Sequence, residues 1–282
     1  MKHGTLYIVP TPIGNLGDMT YRAVEILQKV ILIGAEDTRT SRVLLNHYNI
    51  TTPMVSYHKF NERARLDEFI EKLQNGDDIA IISDAGTPGI SDPAGILIKE
   101  TTAQEIEVVT LPGATALIPA LVSSGLSAEK FYFVGFLPEK QSERRELLQN
   151  LEYIQDTLIF YEAPHRLHET LKELFKYMND RQICIAREIS KKFETHYHGK
   201  LSHFVENFNE ITLKGEFVIV LEGAQEQVLS DEELRELITE ELHHDKSVSR
   251  TAKELAQEHK LSRNRVYKLA LQMKKERIIL DP

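Results

Sequence analysis

The chain has 282 residues, of which 41% are hydrophobic and 27% are charged, and this is ordinary for a globular protein of about two domains. No apolar run approaches the ~20 residues of a membrane helix, and the first residues lack the layout of a secretory signal peptide. The single cysteine, Cys184, lies in an apolar run, excludes an intramolecular disulfide and fits a cytoplasmic location. The net charge of −9 argues mildly against a nucleic-acid partner, unless the positive charges are concentrated in one segment.

Short apolar runs alternate with amphipathic helical patterns as far as Gly223. The runs are bounded by Gly, Pro or Asp, which is typical of buried strands, and the alternation predicts an α/β fold with largely parallel sheets. The predicted strands are Leu6–Val9, Val30–Ala35, Ile79–Ser83, Val108–Leu111, Phe131–Phe136, Leu158–Tyr161, Ile183–Ala186 and Phe217–Leu221. The predicted helices include Tyr21–Lys29, Arg65–Gln74, Pro93–Thr102, Ala114–Ser124 and Arg166–Lys176.

Three domains are predicted from these patterns. A turn at Gly125-Leu126-Ser127 separates a first α/β domain, residues 1–125, from a second α/β domain, residues 126–225. Beyond Gly223 no strand pattern remains, and residues 226–282 are predicted to form a small all-helical domain.

The helical tail divides into an acidic and a basic part. Asp231–Asp245 carries a net charge of −6, whereas Lys246–Arg277 carries +7. Thr251–His259 and Arg263–Lys275 have the pattern of a helix-turn-helix, which would expose bases to nucleic acid. The alternative is a solvated three-helix cap. The bases predicted to contact RNA in this tail are Arg263, Arg265 and Lys268.

Three loops rich in glycine and proline follow predicted strands: Pro10–Asp18, Ser83–Pro93 and Leu111–Ala116. Ligands of open α/β sheets bind beyond the carboxyl ends of the strands, so three such loops predict one shared crevice. None of the loops is a dinucleotide-binding GxGxxG or a phosphate-binding GxxxxGK[ST]. Redox chemistry with NAD and nucleotide hydrolysis therefore have no support from motifs.

These loops, with Ala35-Glu36-Asp37-Thr38-Arg39 and Tyr161-Glu162-Ala163-Pro164-His165-Arg166, resemble the tetrapyrrole methylase superfamily. Within it they are similar to the bacterial branch that methylates the 2′-hydroxyl of a cytidine ribose in small-subunit (16S) ribosomal RNA. The resemblance implies a homodimer with S-adenosylmethionine in a cleft between two α/β domains. The cofactor contacts that it implies are Pro12, Ile82, Ser83, Asp84, Thr87, Thr115, Ala116, Glu162 and Ser190.

The chemistry of methyl transfer to a hydroxyl suggests further roles. A ribose hydroxyl is a weak acid, so a carboxylate at a strand end could accept its proton, and Glu162 and Glu36 are the candidate catalytic residues. Arg39, His165 and Arg166 are candidates for holding RNA, since arginine suits bidentate binding of phosphate. Both arginine motifs could instead be ordinary helix starts.

No metal site is predicted, because the histidine pairs lack a clear third ligand. His196 and His198 alternate in a strand-like segment and are interpreted as surface residues.

The favoured function is ribose 2′-O-methylation of 16S ribosomal RNA within the small subunit, without a membrane partner. A tetrapyrrole (precorrin-type) methyltransferase and a non-enzymatic helix-turn-helix regulator remain as alternatives. The family motif Gly-Asp-Pro is here Ser83-Asp84-Ala85, which argues against tetrapyrrole chemistry.

Overall fold

The structure is a computed structural model that describes residues 2–225, 231–243, 247–259 and 263–280. The chain divides into two compact units, Met1–Ala224 and Gln225–Pro282. Each unit has hydrophobic clusters of its own, and the two predicted α/β domains both fall within the first unit. Among the described residues, no helix has the length and apolar character to span a membrane.

The first half of unit one is a five-stranded sheet in which every pair is parallel. Its strands β2 and β4 are buried along their whole length, because helices cover both faces of the sheet. The strands, in the spatial order β3-β2-β4-β1-β5, are β1 (Thr5–Ile8), β2 (Leu32–Ala35), β3 (Met54–Ser56), β4 (Ile79–Ile82) and β5 (Glu107–Thr110). The helices are α1 (Tyr21–Lys29), α2 (Thr38–His47), α3 (Glu62–Gln74), α4 (Gly95–Ala103) and α5 (Leu117–Ser123).

The strand order explains why the glycine-proline loops meet. β4, β1 and β5 are neighbours, and each is followed by one of the three loops. β2 lies on the other side of β4 and leads into Glu36. Because parallel strands end at the same edge of a sheet, all four segments converge there.

The second half of unit one differs from the largely parallel arrangement that the sequence predicts. Only β6 and β7 are parallel, and the other three strand pairs are antiparallel. β8 and β9 form a hairpin through a short connection without a crossover helix, which requires antiparallel pairing. The strands, in the order β6-β7-β10-β8-β9, are β6 (Phe131–Phe136), β7 (Thr157–Glu162), β8 (Gln182–Arg187), β9 (Thr195–Lys200) and β10 (Phe217–Leu221); the helices are α6 (Gln141–Leu151), α7 (Leu167–Met178) and α8 (Leu201–Glu206).

The second unit contains the helices α9 (Asp231–His243), α10 (Val248–Glu258) and α11 (Arg263–Leu280). Each of the three helices contributes buried apolar residues. Together they form a small core of Leu234, Ile238, Ala252, Leu255, Val266, Leu269 and Ala270.

Candidate functional site

Hydrogen bonds hold the three glycine-proline loops together. The backbones of Thr11 and Gly86 exchange two hydrogen bonds of 2.9 Å, and the Thr11 hydroxyl donates to the Ser83 carbonyl at 3.0 Å. The Thr87 hydroxyl donates to the carbonyl of Ala114 in the third loop at 3.1 Å. Gly86 has a φ of +83°, which a glycine adopts at little cost. The loops therefore form one connected wall, as the sequence predicts.

This wall bounds a cleft of about 470 Å³, a volume within the range of small-molecule sites. The opposite side of the cleft comes from the end of β7, the segment after β8 and the start of β10. The cleft therefore lies between the two α/β halves of unit one. Residues that line it include Ile13, Glu36, Asp84, Thr87, Asp92, Thr115 and Ala116 from the first half, and Tyr161, Glu162, Ala163, Ile189 and Val218 from the second.

Five of the predicted cofactor contacts line the cleft: Asp84, Thr87, Thr115, Ala116 and Glu162. The other four do not line it.

Pro12 and Ile82 are buried, and the Ser83 hydroxyl donates inward to the Gly86 carbonyl at 3.2 Å. The Ser190 hydroxyl donates to the Asp18 carboxylate and so joins the second half to the first loop. These residues shape the walls from outside the cleft surface.

Three carboxylates share the first-half wall: Glu36, which follows β2, and Asp84 and Asp92, which both lie in the loop Ser83–Pro93. Burial, together with the charge of Asp84, raises the pKa of Glu36. Burial also raises the pKa of Asp84, whose Oδ1 accepts a hydrogen bond from the Asp37 backbone at 3.0 Å. Burial, together with the charge of Glu36, raises the pKa of Asp92 to about 7. The cleft thus holds a carboxyl group that changes charge near neutral pH.

Asp92 is a residue of the cleft that the sequence pattern does not single out. It lies in the loop Ser83–Pro93, which the sequence singles out, but one acid in a turn has no signature of its own. The nearby residues Ser91 and Ala94 have backbone φ values of +64° and +157°, which residues other than glycine seldom adopt. Strained backbone of this kind is concentrated at functional sites.

Glu162 lines the cleft but has both carboxylate oxygens engaged within the protein. Oε2 accepts a hydrogen bond from the Thr170 hydroxyl at 2.5 Å, and Oε1 accepts one from the Ala163 backbone at 2.8 Å. The Arg166 guanidinium lies 3.5 Å from Oε1, and the side chain of Glu162 is fully buried. This arrangement favours a role in holding the start of α7 and speaks against the predicted role as the proton acceptor.

The predicted RNA contacts near the cleft differ in exposure. Arg166 donates to the carbonyl of Leu137 at 2.8 Å and is mostly buried, so its guanidinium is already engaged within the protein. His165 is exposed. Arg39 is 90% exposed and bonds Asp37, the N-cap of α2, at 2.7 Å. Of these three, Arg39 and His165 are accessible to a polyanion.

The tail bases also divide by their contacts. Arg263 and Lys268 are exposed, and Arg263 donates to the Ser249 hydroxyl at 3.3 Å. Arg265 is paired with Asp231 at 2.7 Å. The charge of Arg265 is thus partly neutralised within the second unit.

Most of the chain is similar to a known protein family and to named relatives. Residues 5–205 match the model of the family described as tetrapyrrole (corrin/porphyrin) methylases. The chain is 47% identical to the ribosomal RNA small subunit methyltransferase I of Synechocystis sp., over 96% of this chain and 98% of that protein. It is 43% identical to the protein of the same name from Bacillus subtilis, over 93% of this chain and 90% of that protein.

Solved structures share the fold at low sequence identity. A uroporphyrin-III C-methyltransferase from Thermus thermophilus, solved in complex with S-adenosylhomocysteine, has a TM-score of 0.56 and 18% identity, covering 78% of this chain and 97% of that chain. A diphthine synthase has a TM-score of 0.59 and 12% identity, covering 78% of this chain and 90% of that chain. At these identities the likeness concerns the fold alone.

Proposed function

The chain belongs to the tetrapyrrole (corrin/porphyrin) methylase family, and we propose that it methylates the 2′-hydroxyl of a cytidine ribose in small-subunit (16S) ribosomal RNA, with S-adenosylmethionine as donor. The observation that carries the proposal is the nearly complete coverage of the chain by relatives named small-subunit ribosomal RNA methyltransferases. Tetrapyrrole methylation is supported only by the general description of the family and by solved structures that share the fold at 16–18% identity. The relatives are named as enzymes, so they give no support to the alternative of a non-enzymatic regulator.

The cleft fits S-adenosylmethionine in size and chemistry. Thr87, Thr115 and Ala116 have small side chains, which leave room for the backbone to approach a ligand. The carboxylate of Asp84, which lines the cleft, suits the ammonium or the hydroxyl groups of the cofactor. The walls of the cleft are supported from behind by four residues that do not line it: Pro12, Ile82, Ser83 and Ser190. When bound, the cofactor supplies a methyl group on a positively charged sulfur, which the nearby carboxylates complement.

Proton acceptance is assigned to Asp92, with Glu36 as the second candidate. A general base works best when its pKa lies near the working pH, and burial raises the pKa of Asp92 to about 7. Glu36 adjoins it on the same wall and raises its proton affinity through charge repulsion. Glu162 then acts as a positioning residue, because Thr170 and Ala163 occupy its oxygens.

RNA contacts are assigned to exposed groups on both units. Phe136 and Tyr161 line the cleft with ring centroids 5.7 Å apart, and such aromatic surfaces suit stacking on a nucleobase. Arg39 and His165 would hold the flanking phosphates, and the tail bases Arg263 and Lys268 would add electrostatic attraction. Arg166 and Arg265 would contribute less directly, since both are bound to acids of the protein. Homodimer formation, action on the assembled small subunit and a cytoplasmic location belong to the same proposal.

Methyl transfer followed by nucleoside mapping tests the function. The protein is incubated with S-adenosylmethionine labelled in the methyl group and with small ribosomal subunits that lack the modification, free 16S RNA serving in parallel. We expect label in 2′-O-methylcytidine and one new linkage resistant to alkali, because the methylated oxygen cannot attack its 3′ phosphate. Label on a base, with all linkages still labile, would contradict the assignment to ribose. In a parallel incubation with a tetrapyrrole in place of RNA, label on the tetrapyrrole, with none on RNA in the others, would favour the alternative.

A further inference from the structure

The hairpin of β8 and β9 brings the only cysteine of the chain next to two histidines. Cys184 on β8 is paired directly with His198 on β9. His196 lies two residues before His198, so its side chain is on the same face of the sheet. The sequence pattern showed the two histidines without a third ligand, and strand pairing supplies it.

The potential ligand atoms of these side chains are close to one another. One from each of Cys184, His196 and His198 can be chosen so that all lie within 4.8 Å of one another. Bound to a tetrahedral zinc ion, such atoms are roughly 3.5 Å apart, given Zn–S and Zn–N bonds of about 2.3 and 2.0 Å. His198 is exposed, and its ring lies nearly parallel to that of His196 with centroids 6.3 Å apart, so small rotations of these two side chains would close the remaining distance.

Neighbouring side chains already orient His196 as metal-bound histidines are oriented. Its Nε2 lies 2.8 Å from the Glu194 carboxylate, and its Nδ1 lies 3.1 Å from the Ser123 hydroxyl on α5. Metal-bound histidines usually donate their second ring N–H to a carboxylate, and this partner fixes the tautomer. With Nε2 held by Glu194, Nδ1 could bind a metal once the Ser123 hydroxyl rotates away.

We propose that Cys184, His196 and His198 bind a divalent ion of the zinc type, with water in the fourth position. A thiolate with two imidazoles is a borderline-soft set of donors that suits zinc better than magnesium or calcium. On binding, the S–H bond of Cys184 breaks, its proton passes to solvent, and the sulfur bonds the metal.

The location indicates a structural ion. None of the three residues lines the cofactor cleft. They lie at the outer end of the second sheet, where β9 is the edge strand, and Ser123 connects them to α5. Cys184 belongs to the same apolar cluster as Val218 and Ile189 of the cleft wall. A bound ion would therefore tie the edge strand to the layer that forms this wall.

Cobalt spectroscopy on the full chain, stripped of metal and without an affinity tag, tests the proposal. Cobalt(II) bound to a thiolate has a charge-transfer absorption in the near ultraviolet, and Cys184 is the only thiol that can give rise to it. We expect this band to saturate at one cobalt per chain and to disappear when zinc is added. Absence of the band at saturating cobalt would overturn the proposal.

Variants locate the site independently of the buried cysteine. His198→Gln alters an exposed side chain and should weaken cobalt affinity at least tenfold, with unchanged melting of the metal-free protein. Glu194→Gln should weaken affinity by about 10–100-fold, as expected for loss of the carboxylate that holds His196 Nε2. The matched control is His203→Gln, whose exposed imidazole pairs with Glu210 outside the cluster and should leave affinity unchanged. Equal affinities of the His198 and His203 variants would contradict the proposal.

Discussion

At the scale of single residues, the carboxyl groups around the cleft have separate roles set by their surroundings. Asp92 is half-buried near Glu36 and Asp84, so its charged form is disfavoured. Glu162 is fully buried, but a hydroxyl and a backbone N–H stabilise its carboxylate. The first arrangement suits proton transfer and the second suits anchoring.

Asp92→Asn should lower kcat by about 10²–10⁴-fold, the usual contribution of a general base. The deprotonated carboxylate is the base, so wild-type activity should rise as pH increases through about 7. The pH-rate profile of the variant should lack this rise. Asp84→Asn is the comparison, and should weaken cofactor binding while the rise with pH remains. A pH dependence that survives in Asp92→Asn would transfer the role to Glu36.

Glu162→Gln should lower stability more than turnover. It weakens hydrogen bonds to a charged acceptor, which contribute about 1.5–3 kcal/mol to the free energy of unfolding. Thr170→Val removes the hydroxyl donor at nearly constant volume and should cost a similar amount, and the double variant should cost less than the sum. Denaturant unfolding measures all three. If Glu162→Gln kept full stability but lost turnover, the proton-accepting role would return to Glu162.

At the scale of elements, the conformations of the loops create the cleft. The second loop has positive φ at Gly86, Gly89 and Ser91, and so has Ala94, the residue that follows it. Such a path keeps the chain compact at the end of β4 and places Asp84, Thr87 and Asp92 on the same wall. Contacts to the first and third loops hold the conformation in place.

Gly86→Ala should destabilise the protein by about 1–2 kcal/mol, the cost of a left-handed conformation for an L-residue. The nearest atom to an added Cβ is 3.6 Å away, so the cost comes from φ and not from a clash. The affinity of Gly86→Ala for the cofactor, measured by calorimetry, should also fall. Gly95→Ala is the control, because Gly95 begins α4 with open space around it and should not destabilise. Equal stability of the two variants would rule out this account.

The exposed bases of α11 should act through electrostatics. Arg263→Gln with Lys268→Gln should lower RNA affinity and reduce the slope of log K against log salt by about 1.4–1.8, since roughly 0.7–0.9 is lost per phosphate contact. Arg265→Gln should change the slope less, because Arg265 is paired with Asp231. Filter binding from low to high salt measures the slopes. An unchanged slope in the double variant would identify the tail as a structural cap.

At the scale of the whole molecule, the chain comprises two units with separate clusters of buried residues. Charge is distributed unevenly along it, since a net charge of −9 coexists with a basic segment of +7 from Lys246 to Arg277. The uneven distribution allows an acidic protein to attract RNA locally.

Cofactor binding should stabilise the first unit and be insensitive to the core of the second. S-adenosylmethionine at 100 times its Kd should add about 2.7 kcal/mol to the free energy of unfolding of unit one, and raise its Tm by roughly 5–10 °C. Leu255→Ala in the core of the second unit should cost that unit about 2–5 kcal/mol and leave the Kd of the cofactor unchanged. Scanning and titration calorimetry measure both. A weakened Kd in Leu255→Ala would contradict independent function of the two units.

The sequence alone determines the order and type of most elements, because they depend on local patterns. The helix Tyr21–Lys29 is predicted to the residue, and Thr20 caps it through a hydrogen bond to the Ala23 backbone at 3.1 Å. The loops after β1, β4 and β5 were recognised from glycine and proline, which restrict or free the backbone wherever they occur. These loops and their motifs were sufficient to indicate the family.

Only the tertiary structure decided the antiparallel pairing in the second sheet and the partners of the ionisable groups. Thr170 bonds Glu162 only because the first turn of α7 packs against the end of β7. Cys184 meets His198 only because β8 and β9 pair in this register. The pKa of Asp92 likewise depends on burial and on Glu36, more than 50 residues earlier in the chain. Electrostatic energies and metal ligation depend on distances and on local polarity, and both are set by which strands become neighbours.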